Sequence, residues 1–212
     1  LKPEYIIPFK MDRKTAIENL KKYYKGKAFL PKAFKESNHI EEIQGVYVPF
    51  WLFDGGAEGE VDYKAANSRT YRDDDYEVTE TDHYDVHRGG SIAFEKIPVD
   101  ASSKMPDDHM DSIEPYDYAD LKPFSTAYLP GFLADKYDVS VEDSREREDK
   151  RCAGSLVSAL ERTVSGYTSC NETSRDIHLK RGKVHYALLP VWMLHTKWQG
   201  KDYLFAMNGQ TG

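Results

Sequence analysis

Cysteine is scarce in this chain, with only Cys152 and Cys170 among 212 residues. They form no Cys-x-x-Cys pair and stand apart from any close group of histidines, which argues against zinc bound within these residues. Two thiols also fall short of a secreted disulfide framework and point to a reducing cytosol. No apolar run reaches the roughly 18 residues of a membrane span, and no signal peptide or lipidation signature is present. A phosphate-cradling Gly-x-x-x-x-Gly-Lys-Ser/Thr loop is missing too. Neither Gly55-Gly56-Ala57-Glu58-Gly59 nor Gly200-Lys201 completes it, so no nucleotide-driven motor is legible. No Ser, Cys or Lys nucleophile has a base at a readable spacing, and a calcium loop is absent.

The hydrophobic share is 40% and the aromatic share 13%, with fifteen tyrosines and three tryptophans, an ordinary globular composition. The net charge of -7 conceals a segregation. From Asp73 to Asp120 there are 15 acidic side chains against 3 basic, whereas from Leu1 to Lys35 there are 10 basic against 3 acidic. The basic end can face nucleic-acid phosphates or anionic headgroups. Its simpler reading is a solvated helix face, because Lys14, Glu18, Lys21 and Lys25 pair at i,i+4 and i,i+3.

Two segments repeat. Tyr47–Gly59 and Leu188–Gly200 match at a constant offset of 141 residues, Pro49 to Pro190, Trp51 to Trp192 and Gly59 to Gly200. Val46 to Phe53 and Ala187 to Leu194 are nearly continuous apolar runs, which predict strands buried on both faces. A proline inside such a strand predicts a sheet edge, a strand start or a bulge. A glycine turn and a second strand should follow, Glu60 to Tyr63 in one copy and Tyr203 to Met207 in the other. A looser match precedes each copy. Ile6-Ile7-Pro8-Phe9 leads to Asp12 as an N-cap and a helix with Ala16, Ile17, Leu20 and Tyr24 on one face. Tyr128-Leu129-Pro130-Gly131-Phe132 leads to Ser140 as an N-cap, Asp143, and a helix with Ala153, Leu156, Val157, Leu160 and Val164. Tyr76, Val78, Ile92 and Phe94 add strands, with Arg88-Gly89-Gly90 as a turn. The expected fold is α+β and internally duplicated, two related strand-helix-hairpin halves forming mixed or antiparallel sheets. It is read as a single globular unit over 1–212, with pseudo-repeats at about 5–63 and 128–207 and an acidic insertion at about 64–127.

Ile7-Pro8-Phe9, Val48-Pro49-Phe50-Trp51-Leu52-Phe53-Asp54, Tyr128–Phe132, Ala134-Asp135 and Phe205-Ala206-Met207-Asn208-Gly209-Gln210-Thr211-Gly212 together resemble an uncharacterised bacterial family, over essentially the whole chain. The resemblance implies an N-terminal zinc ribbon before this region and a hydrophobic membrane segment after it, both outside these residues. Some members carry a primosomal or replication-factor helicase label, which the missing phosphate loop does not support. The start at Leu1 and the stop after an apolar strand are read as the ends of a domain excised from something longer.

Among candidate site residues, Asp54 and His195 follow the two Pro-x-Trp strands at equivalent positions and would form an acid–base pair if they met. Polar ends of buried strands are the simpler account. His83 and His87 share a strand face beside Asp82 and Asp85, but four residues of strand span about 13 Å, too far for one ion. Asp107, Asp108, His109 and Asp111 offer ligands for a hard cation in a loop. Trp198, near the hairpin turn, is the tryptophan expected at the surface, whereas Trp51 and Trp192 are expected in the core. The expectation is a non-catalytic binding or scaffolding domain, tethered to the cytoplasmic side of a membrane by the full-length protein. Lys14, Lys21, Lys25, Asp54, His195 and Trp198 are its candidate contacts, and its partner is a protein or an anionic membrane surface. It needs no cofactor in this chain, with zinc confined to the ribbon outside it. The alternative is a nucleic-acid accessory module linked to replication, and a hydrolase using Asp54 and His195 is a minor third.

Overall fold

The structure is a computed structural model that describes residues 1–25, 42–198 and 201–212. The side chains of Tyr24, of residues 196–198 and of residues 201–202 lie outside the described set, as do Lys27, Lys32, Lys35 and the turn at Gly200. The chain is a mixed α/β protein on a large mixed sheet. In order come β1 (Tyr5–Ile6), α1 (Arg13–Lys25), β2 (Gln44–Asp73), β3 (Tyr76–Asp100), α2 (Asp107–Ser112) and β4 (Lys122–Pro123). These are followed by β5 (Leu133–Ala134), α3 (Val141–Glu161), β6 (Ser169–Trp198) and β7 (Lys201–Asn208). Among the described residues the strand order is β3-β2-β6-β1-β4, with β5 also on β2 and β7 also on β6. Packing divides the chain into two compact units. The first comprises Leu1–Leu52, Lys96–Ser144 and Val184–Gly212, the second Phe53–Glu95 and Arg145–Lys183.

In the first unit the strand period of two sorts side chains between two cores. Val46, Val48, Phe50 and Leu52 of β2 meet Ala187, Leu189 and Val191 of β6, closed by Met110, Ile113 and Tyr116. On another side Ala16 and Leu20 of α1 pack with Ile43, Trp192, Leu194 and Met207. Phe9 stacks on Phe132 with centroids 4.1 Å apart, edge-on to Tyr47 and Trp192. Both Pro-x-Trp segments are therefore buried strands, as their apolar runs predict.

The prolines are placed otherwise than expected. Pro49 and Pro190 lie inside interior strands, each where its strand changes neighbour. β6 pairs in parallel with β1 through Leu188, which accepts the Ile7 N–H at 3.0 Å, and pairs with β7 from Val191 onward. β2 pairs in parallel with β5 through Tyr47, which accepts the Asp135 N–H at 3.0 Å. Each proline offers its carbonyl to the incoming segment, Pro190 to the Gly209 N–H and Pro49 to the Ala101 N–H, both at 2.9 Å. A residue without an N–H is tolerated at the gap between two partners.

The same bonds recur at fixed offsets. Trp51 Nε1 donates to the Val139 carbonyl at 3.0 Å and Trp192 Nε1 to the Met11 carbonyl at 3.1 Å. The Ala101 carbonyl accepts from Asp138 and Val139, as the Gly209 carbonyl accepts from Lys10 and Met11. Asp12 caps α1 through the Thr15 N–H (2.7 Å), and Ser140 caps α3 through the Asp143 N–H (3.1 Å). Both caps agree with the sequence reading. The counterpart of Tyr5–Ile6 by bonding pattern is Leu133–Ala134, each pairing in parallel with a long strand, and not Tyr128–Phe132, where Thr126–Tyr128 forms a 3-10 turn.

In the second unit Phe53, Ala57, Val61, Tyr63 and Ala65 of β2 are buried, as are Val86 and, on α3, Cys152, Leu156 and Leu160. The glycines here do not turn the chain, contrary to expectation. β2 runs unbroken through Gly55, Gly56 and Gly59 to Asp73, and β3 through Gly89 and Gly90. The turn lies instead at Asp74, whose φ is 51°. A Cβ on Gly59 would overlap the Asp176 carbonyl oxygen, and one on Gly182 would lie 2.6 Å from the Asp54 carbonyl oxygen. These glycines admit a neighbouring backbone. Beyond the buried stretch the ribbon is polar, with Ser68–Thr81 and Thr70–Thr79 hydroxyls 2.9 Å apart and Arg69 paired with Glu80.

Candidate functional site: an open groove beside β5

α1 buries Ala16 and Leu20 and turns Lys14, Lys21, Lys22 and Lys25 outward. Its last turn carries Lys22 and Lys25, favourable for the negative end of the helix dipole.

A groove of about 870 Å³ lies beside β5 in the first unit. Its apolar wall is Val46, Met105, Leu133, Met193 and Leu204; its polar groups are Glu42, His109, His195 and the Lys104–Asp135 ion pair at 3.2 Å. His195 stands on β6 opposite Leu204 of β7 and is exposed. His109 stands on α2, and its Nδ1 is buried with no hydrogen-bond partner among the described residues. A second hollow of about 590 Å³, with Asp12, Arg13, Phe132 and Trp192, is also lined by Leu133. Leu133 itself is 56% exposed.

α2 is held by side chains that sequence reasoning missed. Asn208 is buried; its Nδ2 donates to the carbonyls of Ile113 (2.9 Å) and Pro115 (3.2 Å), and its Oδ1 accepts from the Gln210 and Thr211 N–H groups. Gln210 in turn exchanges bonds with the Asp117 backbone in both directions, at 2.8 and 2.9 Å. This latch fixes the segment directly after α2, and with it the His109 wall. The polar run Asn-Gly-Gln-Thr directly after an apolar strand was the available signal.

Asp54 is half-buried in the second unit, whereas His195 belongs to the first. The side chain of Trp198 lies outside the described residues. Asp107, Asp108, His109 and Asp111 form a helix in place of the expected loop. Among the described residues no group of three or more His, Cys, Asp or Glu is placed to hold a metal ion. His87 does find a carboxylate, across the strands in Asp62 (2.7 Å), and Ser174 donates to the other oxygen of Asp62 at 2.8 Å. That hydrogen bond raises the His87 pKa and, with the Ser174 hydroxyl, lowers that of Asp62. The carboxylate lies between hydroxyl and imidazole, so His87 is not positioned as a base for Ser174. Burial, helped by Glu148 and Asp149, pushes the Cys152 thiol up to about 11, leaving it un-ionised and unreactive at neutral pH.

No described helix is long and apolar enough to cross a membrane. The chain matches no protein-family profile and no solved structure. It is 40% identical over all its 212 residues to the uncharacterized protein YdjG of Bacillus subtilis (strain 168), and it spans 62% of that relative's length.

Proposed function

We propose that this chain is an internally duplicated binding module of a longer, membrane-tethered protein, and that it works by holding a partner rather than by catalysis. The groove beside β5 carries this reading. It is open, walled by methionine and leucine, rimmed by His109, His195, Glu42 and the Lys104–Asp135 pair, and set in a frame held by the Asn208 latch. Methionine-rich walls adapt to an apolar side chain. Duplication is supported by the paired bonds of Trp51 and Trp192, of the two N-caps and of the two proline junctions. The conspicuous repeated motif is thus occupied in holding the fold, and the surface between its copies is left for recognition. The greater length of the Bacillus subtilis relative favours additional segments in the whole protein, and the zinc ribbon and membrane segment implied by the resemblance belong there.

The full-length protein tests this. It should sediment with membranes, carry zinc that is lost when its ribbon cysteines are replaced, and show no hydrolase or ATPase turnover. Turnover abolished by His195→Ala would replace the binding reading with an enzymatic one.

The outward lysines of α1 favour a second reading, a nucleic-acid accessory module using Lys14, Lys21 and Lys25. Against it stands the net charge of -7. The chain is expected to bind neither duplex nor single-stranded DNA at physiological salt and to use this face on anionic lipid. Fluorescence anisotropy decides: micromolar binding with a log-log salt slope near -0.9 per contact, abolished by Lys21→Glu with Lys25→Glu, would reverse the order.

A further inference from the structure

The two proline junctions differ at one place. At the first, the outer edge of β1 is covered by β4: Tyr5 lies opposite Pro123 and Ile6 opposite Lys122, antiparallel, and the Phe124 N–H donates to the Glu4 carbonyl at 2.9 Å. β4 also brings Leu121 against the core. At the second, β5 occupies the position of β1, making the same parallel pair with its long strand, yet among the described strands it pairs with β2 alone. Leu133 and Ala134 are exposed.

We propose that the outer edge of β5 accepts a short extended segment of a second protein, paired antiparallel as β4 pairs with β1, and carrying a large apolar side chain into the groove between Met105, Met193 and Leu204. The Asp135 N–H points to Tyr47 of β2. Because strand residues alternate in direction, the Ala134 N–H and C=O point away from β2, toward an incoming strand. Backbone pairing on such an edge supplies affinity, and the adjoining pocket supplies specificity. The pocket's chemistry selects an apolar residue: its near wall is methionine and leucine, and the lysine beside it is neutralised by Asp135. This rests on the binding-module reading and names the partner of that same groove.

The test uses the ¹⁵N-labelled 212-residue chain and the peptide Ala-Asp-Leu-Lys-Pro-Phe-Ser-Thr, which copies residues 119–126 and so carries the sequence that already serves β1. Versions with Phe or Asp in place of the leucine complete the set. The Leu and Phe peptides should shift resonances and slow amide exchange at Leu133–Asp135, His195 and Leu204, and the Asp version should bind about tenfold more weakly or worse. Ala134→Pro removes only an outward N–H, so it should abolish binding while melting like the parent. If that variant unfolds, Leu133→Asp, at an exposed position, should do the same. No shift at millimolar peptide, an Ala134 amide already protected in the free chain, or equal affinity for the Asp version would overturn the proposal. Concentration-dependent dimerisation through this edge would overturn it in favour of self-pairing. A chain that ignores the peptides but binds phosphatidylserine vesicles through α1 would sink the edge assignment and leave the module reading standing; inertness in both would remove both.

Discussion

The two units use the same long strands in opposite ways. In the first, β2 and β6 are buried on both faces, and their backbone groups at the prolines are taken up by carbonyl bonds that occur twice. In the second, the continuation of β2 into β3 is a ribbon whose outer part is joined by exposed cross-strand pairs such as Ser68–Thr81, Arg69–Glu80 and His87–Asp62. Burial of large apolar side chains contributes roughly 1.5–3 kcal/mol each, whereas exposed cross-strand pairs contribute roughly 0.2–1 kcal/mol. The first unit is therefore expected to carry most of the stability, and the second to open first.

The largest test of this contrast is at the tryptophans, 3% and 4% exposed. Trp51→Ala and Trp192→Ala should each cost about 3–5 kcal/mol in denaturant melts, and similarly to one another, because the indoles make equivalent bonds. A cost that is large at one and near zero at the other would count against the proposed duplication.

Next comes Gly59→Ala, which forces a methyl group onto the Asp176 carbonyl oxygen. It should cost about 1–3 kcal/mol, as overpacking does, with faster amide exchange confined to the second unit. Exchange that quickens equally in both units would show that they do not open separately. Smaller still is Thr70→Ala, which removes the hydroxyl bond to Thr79. It should cost about 0.2–1 kcal/mol, and a loss above this range would show that the ribbon matters more than its exposure implies.

The smallest effect is a pH dependence of the ribbon. His87 titrates above its ordinary 6.5 because it bonds to Asp62, so its contribution is complete below 6.5 and fades as pH rises through the raised value. Asp62 titrates below its ordinary 3.8, so its contribution is complete above 3.8 and fades as pH falls through the lowered value. The pair thus holds best between these two ordinary values. Asp62→Asn should return His87 to near its ordinary value in an NMR titration; an unchanged His87 would remove the pair from the account.

Much of the first unit could be read in the chain itself. The Pro-x-Trp strands, their burial, the helix on Ala16 and Leu20, and the caps at Asp12 and Ser140 all follow from local chemistry, since an apolar run or a capping oxygen acts on neighbours within a few residues. The long-range features did not follow. Glycine was read as a turn at Gly59 and Gly90, but a missing side chain serves equally to admit a backbone that arrives from more than a hundred residues away, as at Asp176. A proline in a strand points to a sheet edge, a strand start or a bulge, but its missing N–H also fits a gap between two partners, and the partners of Pro49 and Pro190 are distant in sequence. The groove likewise gathers Val46, Met105, Leu133, Met193 and Leu204 from five separate stretches, and no spacing along the chain encodes such a meeting. Local patterning specified the elements, and only tertiary pairing decided which backbone edges were covered and which, like that of β5 among the described strands, were left unpaired.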